Sequence, residues 1–179
     1  ATMPLASVVS ESLGQHQSLQ KLVRNHFVAS GMNEVVNFSF ISADATARLL
    51  EKDDPRCNSI KLCNPIAAEL AVMRTSLLPG LLETVSRNLS FRNLDLRLFE
   101  MRRIYQVADG EEMPEEPIFC AGLLCGLRQP ESWCHQPDKV DFFDAKAIVE
   151  SLLDLLQITD VRWSADNPEP FYHPGKCCW

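Results

Sequence analysis

Apolar side chains recur along this chain at two different periods, and the change of period predicts its elements. Near the start they fall at i, i+3, i+4 and i+8, one face of a helix, and the residues concerned are Leu19, Leu22, Val23 and Phe27. Gly31 follows where a left-handed residue ends a helix at least cost. Beyond Val35, apolar and polar residues alternate, so residues 34–41 are predicted to form a half-buried strand.

The middle of the chain predicts a second helix and two long strands. Thr75 or Ser76 can cap a helix whose first turn contains Pro79, where a missing N–H costs no intrahelical bond. The predicted buried stripe of this helix contains Leu78, Leu81, Leu82, Val85 and Leu89. Residues 96–107 and 118–127 are the longest strand candidates. An acidic loop joins them, so an antiparallel hairpin is the simplest topology.

The second of these strands contains Gly122 and Gly126, which indicate a bulge or a close backbone approach. Asp141 can cap a last helix that runs to about Gln157. Shorter elements are also predicted, namely a helix at 44–50, strands at 59–63 and 161–164, and a turn at 171–175.

Mixed strands and helices of this kind predict an α+β domain with an antiparallel sheet flanked by helices. Residues 1–14 lack strong periodicity and are interpreted as a linker or the tail of a preceding domain. Residues 15–179 are expected to form one core domain, truncated at its C-terminal end.

Composition narrows the possible functions. Net charge is -7, so bulk electrostatics disfavour nucleic-acid binding by this domain. No apolar run approaches the roughly 20 residues that span a bilayer, and the first residues do not resemble a signal peptide. The seven cysteines include no Cys-x-x-Cys pair, which favours free thiols in a reducing cytoplasm over disulfides or a metal site.

The sequence contains no nucleophile elbow and no phosphate-binding loop. Neither the four histidines nor the cysteines form a convincing catalytic, cofactor-binding or metal-binding group. Arg74 stands out because it adjoins the helix start at Thr75 and Ser76, where backbone N–H groups can hold an anion. The alternative, which we favour, is that Arg74 pairs with a carboxylate such as Glu69 or Glu100 inside the fold.

Six arginines and no lysine lie between residues 74 and 103. They are Arg74, Arg87, Arg92, Arg97, Arg102 and Arg103. Arginine suits interfaces and phosphates, so this set is either scattered surface charge or a patch that touches a partner subunit or tRNA.

Four segments together carry a family resemblance that covers essentially the whole chain. They are residues 64–82 (NPIAAELAVMRTSLLPGLL), 96–100 (LRLFE), 140–146 (VDFFDAK) and 171–175 (FYHPG). The chain resembles the core domain of the bacterial-type phenylalanyl-tRNA synthetase beta subunit. That resemblance implies the catalytic-domain fold of class II aminoacyl-tRNA synthetases.

The charged motifs of class II enzymes are only partly present. Residues 31–35 (GMNEV) fit the start of the first motif, although no proline follows. Aligning residues 103–105 with the second motif places Gln106 where the family's active members have an arginine, and Ala108 where they have an acid. A neutral glutamine cannot stabilise the α-phosphate of ATP as the adenylate forms. The glycine-rich third motif would lie beyond Trp179.

The resemblance therefore implies a non-catalytic domain of a cytoplasmic enzyme. It would assemble with the catalytic alpha subunit into an alpha2-beta2 tetramer that charges tRNA with phenylalanine, and ATP and magnesium would bind in the holoenzyme rather than here. Alternatives are a divergent amino-acid-activating enzyme and a stand-alone binding module. The expected contact is the first-motif segment, from about His16 to Ile41, which keeps Gly31 and Glu34. Its phenylalanines, Phe27, Phe38 and Phe40, are either interface anchors or ordinary core.

Overall fold

A computed structural model describes residues 14–51, 53–107, 113–134, 136–166, 169–173 and 175–178. The helices are α1 (Gln15–Ala29), α2 (Leu78–Ser90) and α3 (Phe142–Leu155), with short 3-10 helices at Pro55–Cys57 and Ala68–Leu70. The strands are β1 (Asn33–Glu34), β2 (Phe40–Ile41), β3 (Val72–Met73), β4 (Leu96–Arg103) and β5 (Ile118–Cys125). The predicted α+β class is confirmed.

The main sheet has the strand order β1-β4-β5. Strands β4 and β5 pair antiparallel, with Leu96 opposite Cys125 and Arg103 opposite Ile118, so the predicted hairpin is confirmed. Strand β1 pairs parallel with β4, which makes the sheet mixed rather than wholly antiparallel. The connection from β1 to β4 is long and contains α2, as a parallel crossover requires. Strands β2 and β3 form a separate antiparallel pair.

Helices cover both faces of the main sheet. On one face Leu81 and Val85 of α2 pack with Leu96 and Leu98 of β4. On the other face Phe27 of α1 stacks on Phe99, with ring centroids 5.0 Å apart. Ile148 and Leu152 of α3 pack against this second cluster. Alternation along β4 thus supplies both cores, because successive side chains of a strand point to opposite faces.

The predicted strand over 34–41 is divided between two sheets. Val35 still donates its N–H to the carbonyl of Phe99, at 2.8 Å. The next backbone donor that would extend the strand, Asn37 N, is instead directed at the Glu100 carboxylate. The chain therefore leaves β4 at Asn37 and pairs again only at Phe40, with β3.

Other boundaries also differ from the prediction. Residues 44–50 form successive turns rather than a helix, and the only pairing recorded within residues 59–63 is a bridge from Lys61 to Val72. Residues 161–164 contain no strand. Helix α2 begins at Leu78, whose N–H is accepted by the Ser76 hydroxyl at 3.2 Å.

Two leucines assigned to the buried stripe of α2 are on its outer side. Leu82 and Leu89 are exposed, whereas Leu81 and Val85 are buried. A single sheet face covers a narrower strip of the helix than the sequence stripe suggested.

All three α-helices end with the same hydrogen-bonding pattern, in which the chain turns back through one left-handed residue. At the end of α1 this residue is Gly31, with φ 77°. Its N–H donates to Val28, and the N–H of Met32 donates to Phe27. The equivalent residues after α2 and α3 are Arg92 (φ 62°) and Gln157 (φ 57°). The helix end predicted at Gly31 is confirmed.

The two glycines of the second hairpin strand lie close to different kinds of atoms, backbone at Gly126 and a side chain at Gly122. At Gly126, φ is 88° and an added Cβ would lie 2.3 Å from the Leu94 carbonyl oxygen. At Gly122 it would lie 3.1 Å from the Met32 methyl group. Asp141 caps α3 by accepting the N–H groups of Phe143 and Asp144, as predicted.

Several expectations lie outside the described residues. They concern all of the 1–14 linker except Gly14, the centre of the acidic loop (108–112), Pro174 in the predicted turn, and the chain end at Trp179. Across the described ranges, no helix has the length and apolarity needed to cross a membrane.

Candidate functional site

Arg74 and Glu100 form an ion pair in the interior of the fold. Both are almost fully shielded from solvent, at 2% and 0% exposure. Arg74 Nη1 lies 2.6 Å from Glu100 Oε1, and Arg74 Nε donates to the Arg103 carbonyl at 3.0 Å. Of the two carboxylates considered from the sequence, Glu100 is therefore the partner. The guanidinium is already paired and buried, so it is not available to bind a phosphate.

Asn37 links this pair to helix α2. Its side-chain amide donates to Glu100 Oε2 at 2.7 Å, and its carbonyl oxygen accepts the Thr84 hydroxyl at 2.7 Å. The backbone of α2 comes close at this point, because a Cβ at Gly80 would lie 3.1 Å from Asn37 Cβ. Nothing in the sequence predicts this role of Asn37, because a polar residue in an alternating strand is typical of the solvent-facing side.

Gln106 lies beside a cavity of about 340 Å³ at the N-terminal end of α2. The cavity wall also includes the middle of β5 and the turn that contains Phe171 and Tyr172. The backbone of Gln106 is paired in both directions with Glu115, at 3.0 Å. Gln106 is thus fixed at the edge of this cavity, while Ala108, the other position compared with the second motif, lies outside the described residues.

The arginine that does line this cavity, Arg56, is fully engaged by carboxylates. It pairs with Glu169 through two bonds of 2.6 and 2.8 Å. It also binds Asp54 through Nη2 at 2.6 Å and Nε at 2.9 Å. Hydrogen bonds from the Arg56 side chain and backbone lower the pKa of Asp54 to about 2. Two carboxylates thus more than balance this cation, and the described lining residues offer no unpaired positive charge to a phosphate.

The cluster of Arg56, Asp54 and Glu169 was also not predicted from the sequence. Asp54 before Pro55 is a recognisable helix-start signal, and its side chain does accept the Arg56 N–H. Nothing in the sequence, however, indicated that Glu169 would return to this point across 113 residues.

Cys120, which lines the cavity, is not activated as a nucleophile. Burial is the main cause that raises the pKa of the Cys120 thiol to about 11, so the thiol remains protonated at neutral pH. His26 contacts the carbonyl of Ile148 at 3.1 Å, which joins α1 to α3. In the part of the chain that the structure describes, no group of three or more His, Cys, Asp or Glu residues is arranged to hold a metal ion.

Glu34 lies in β1 and is held by two arginines. Arg24 Nε of α1 is 2.9 Å from Glu34 Oε2, and Arg102 Nη1 of β4 is 3.5 Å from Oε1. Together with the left-handed turn at Gly31, these pairs fix how α1 leads into the sheet. Gly31 and Glu34 thus position the first-motif segment, independently of what that segment contacts.

The three phenylalanines of this segment have different environments. Phe27 is core, Phe40 is partly buried, and Phe38 has 74% of its surface exposed. Phe38 and Phe40 line a groove of about 520 Å³, together with Val36 and the outer side of α2. Of the three candidate anchors, Phe38 is therefore the one most available to a partner.

Solved structures with a similar fold are aminoacyl-tRNA synthetases. Two structures of pyrrolysyl-tRNA synthetase from Desulfitobacterium hafniense superimpose with TM-scores of 0.58 and 0.61. The alignments cover 84% and 82% of this chain, and 48% and 49% of those chains. Sequence identity is 16% in both, so this likeness concerns the class II fold alone.

Sequence relatives are more specific. The phenylalanine–tRNA ligase beta subunits of Geobacter sulfurreducens and Geobacter metallireducens are 47% and 45% identical to this chain over 178 residues. Each alignment covers 99% of this chain and 22% of the relative. The chain thus spans about a fifth of the length of the curated relatives it matches. A family model for the phenylalanyl-tRNA synthetase beta chain CLM domain matches residues 1–179, and the chain belongs to that family.

Proposed function

We propose that this chain is a non-catalytic domain of a phenylalanine–tRNA ligase beta subunit and that it serves in assembly with the alpha subunit. The observation that carries the proposal is the cavity beside Gln106. In the motif alignment, Gln106 takes the position of the catalytic arginine and brings only a neutral amide, and the arginine that lines the cavity, Arg56, is neutralised by Asp54 and Glu169. This cavity cannot supply the positive charge that adenylate formation requires.

In this proposal, ATP and magnesium bind to the alpha subunit, which performs amino-acid activation. The complete assembly is an alpha2-beta2 tetramer in the cytoplasm that charges tRNA with phenylalanine. Family membership supports these points, and the paired state of the cavity's arginine argues against the divergent-enzyme alternative.

The segment from Glu34 to Ile41 is the proposed contact with the alpha subunit. Two of its polar residues are held by side chains of neighbouring elements, and two of its apolar side chains are exposed. Arg24 and Arg102 hold Glu34, and Glu100 holds Asn37. Val36, which lies between Glu34 and Asn37, and Phe38, which follows Asn37, remain largely exposed. Aromatic side chains on a fixed backbone are frequent binding hot spots, because little conformational freedom is lost on association.

Pyrophosphate exchange and copurification test the two parts of this proposal. The full-length beta subunit alone should give no phenylalanine-dependent ATP–pyrophosphate exchange, whereas the mixture with the alpha subunit should. Exchange by the beta subunit alone would overturn the non-catalytic assignment.

Assembly is tested with Phe38→Asp, which should weaken binding of the alpha subunit. Trp133→Asp is the matched control, because Trp133 is even more exposed, at 99%, and lies on a different loop. Equal binding by both variants and the wild type would overturn the proposed contact.

A further inference from the structure

The C-terminal end of α2 presents an apolar and basic surface, which we call the α2-end patch. Its apolar members are all exposed, from Leu82 and Leu89 on the helix to Phe91 at 76% and Leu94 at 58%. Arg87 and Arg92 complete it, and both are exposed. Several large exposed apolar side chains on and just after one helix, with arginines among them, have the composition of a protein-binding surface.

The two patch arginines differ from their neighbours in the arginine-rich stretch. Arg74, Arg102 and Arg103 each pair with a glutamate. Arg97 donates to the carbonyl of Arg128. Within the described residues, no ion pair is formed by Arg87 or Arg92. These two guanidinium groups are thus free to meet carboxylates from outside the domain.

The turn that follows α2 is closed by two backbone hydrogen bonds, and its left-handed residue is an arginine. The N–H of Arg92 donates to Leu89 at 2.9 Å, and that of Asn93 donates to Asn88 at 3.0 Å. The same two bonds end α1, where Gly31 adopts the left-handed conformation without strain. Glycine would therefore suit the backbone at 92 better than arginine, so the fold of this turn does not account for the side chain of Arg92.

We infer that the α2-end patch is a second contact area for the alpha subunit, engaging an apolar surface rimmed by carboxylates. This inference rests on the proposed function. Arg87 makes the patch continuous with the proposed first contact, because it lines the same groove as Val36 and Phe38. The patch contains four apolar side chains and two arginines, and the domain has a net charge of -7. Both properties favour a protein partner over RNA.

The test uses the full-length beta subunit and the separately purified alpha subunit. The dissociation constant of the complex is measured at two salt concentrations for the wild type, Phe91→Asp and the double variant Arg87→Glu, Arg92→Glu. We expect both variants to bind about tenfold more weakly, a loss that only a minority of interface residues produce when they are changed. The double variant should also lose part of the salt dependence. Arg162→Glu, an exposed arginine outside the patch, is the control and should bind like the wild type.

Arg92→Gly separates binding from folding. It removes the side chain and relieves the left-handed strain, so the melting temperature should be unchanged or higher while alpha-subunit binding weakens. If the patch variants bind the alpha subunit like the wild type, the inference is overturned. It is equally overturned if they lose only tRNA affinity in the assembled enzyme, which would make the partner an RNA. A wild-type beta subunit that fails to bind the alpha subunit contradicts the proposed function itself. If Phe38→Asp weakens binding of the alpha subunit but the patch variants do not, only this inference is contradicted.

Discussion

Arg74 and the pair Arg87 and Arg92 belong to one arginine-rich stretch, yet their environments are opposite. Arg74 is enclosed, paired with Glu100 and bonded to a backbone carbonyl. Arg87 and Arg92 lie in solvent, at the far end of the helix that follows Arg74. The difference teaches that the same residue type holds the fold together at one end of α2 and leaves charge for a partner at the other.

The largest effect should come from breaking the buried pair. Removing one member of a buried, hydrogen-bonded ion pair leaves an uncompensated charge and typically costs about 3–5 kcal/mol. We expect Arg74→Ala to lower the free energy of unfolding of this chain by that amount, as measured by urea denaturation. Glu100 would lose its cation but keep the bonds from Asn37.

A double variant sharpens this prediction. Arg74→Met combined with Glu100→Leu removes both charges together, so it should be less destabilising than Arg74→Ala. A double variant that is less stable than the single one would contradict the view that the isolated charge is the main cost.

Two left-handed helix ends should respond in opposite directions. Gly31→Ala introduces a Cβ where no other atom lies within 4 Å, so its cost is backbone strain alone, about 1–2 kcal/mol. Arg92→Gly should be neutral or stabilising, because it relieves the same strain. Thermal unfolding of both variants checks the contrast, and a marked loss of stability in Arg92→Gly would show that this arginine supports the fold after all.

Arg128 provides an intermediate case. It is surrounded by Asp138, Asp141 and Asp144 but remains partly exposed to water. Arg128→Ala should therefore destabilise the chain less than Arg74→Ala, and 1 M salt should remove most of its effect, since the Debye length falls to about 3 Å. Urea unfolding at low and high salt measures both. An effect of Arg128→Ala that does not change with salt would contradict the comparison.

The smallest expected effect concerns how the free energy of unfolding depends on pH under acidic conditions. Folding lowers the pKa of Asp54 from 3.8 to about 2, because the Arg56 side chain and backbone bind the carboxylate. A depressed folded pKa adds stability that is complete above the unfolded pKa and is lost as the pH falls through the folded one. The difference in unfolding free energy between wild type and Asp54→Asn should shrink between about pH 4 and pH 2. A difference that is constant over this range would rule out the Asp54 ion pair as its source.

Local patterns predicted those parts of the fold that depend on neighbouring residues. The hairpin of β4 and β5, the cap at Asp141 and the turn at Gly31 each rest on a few consecutive positions. The pairing of Arg74 with Glu100 was one of two named alternatives, because both Glu69 and Glu100 are carboxylates near Arg74 in the sequence.

Features formed by distant segments were not predicted. Periodicity could not show that Asn37 would leave the strand, because the cause is a carboxylate on β4. The Arg56–Glu169 pair joins segments with no common pattern. The exposure of Leu82 and Leu89 depends on how much of α2 the sheet covers, which a helical stripe does not specify.

The bond from Asn37 to Glu100 also has a consequence for synthesis on the ribosome. The two residues are 63 positions apart, and translation at 5–20 residues per second separates their appearance by roughly 3–12 s. During this interval the segment with Val36 and Phe38 has left the ribosome without the strand that anchors it. The hairpin of β4 and β5 needs no such wait, because its strands follow each other directly. We therefore expect the hairpin of β4 and β5 to form first and to serve as the template on which the earlier segment with Val36 and Phe38 docks.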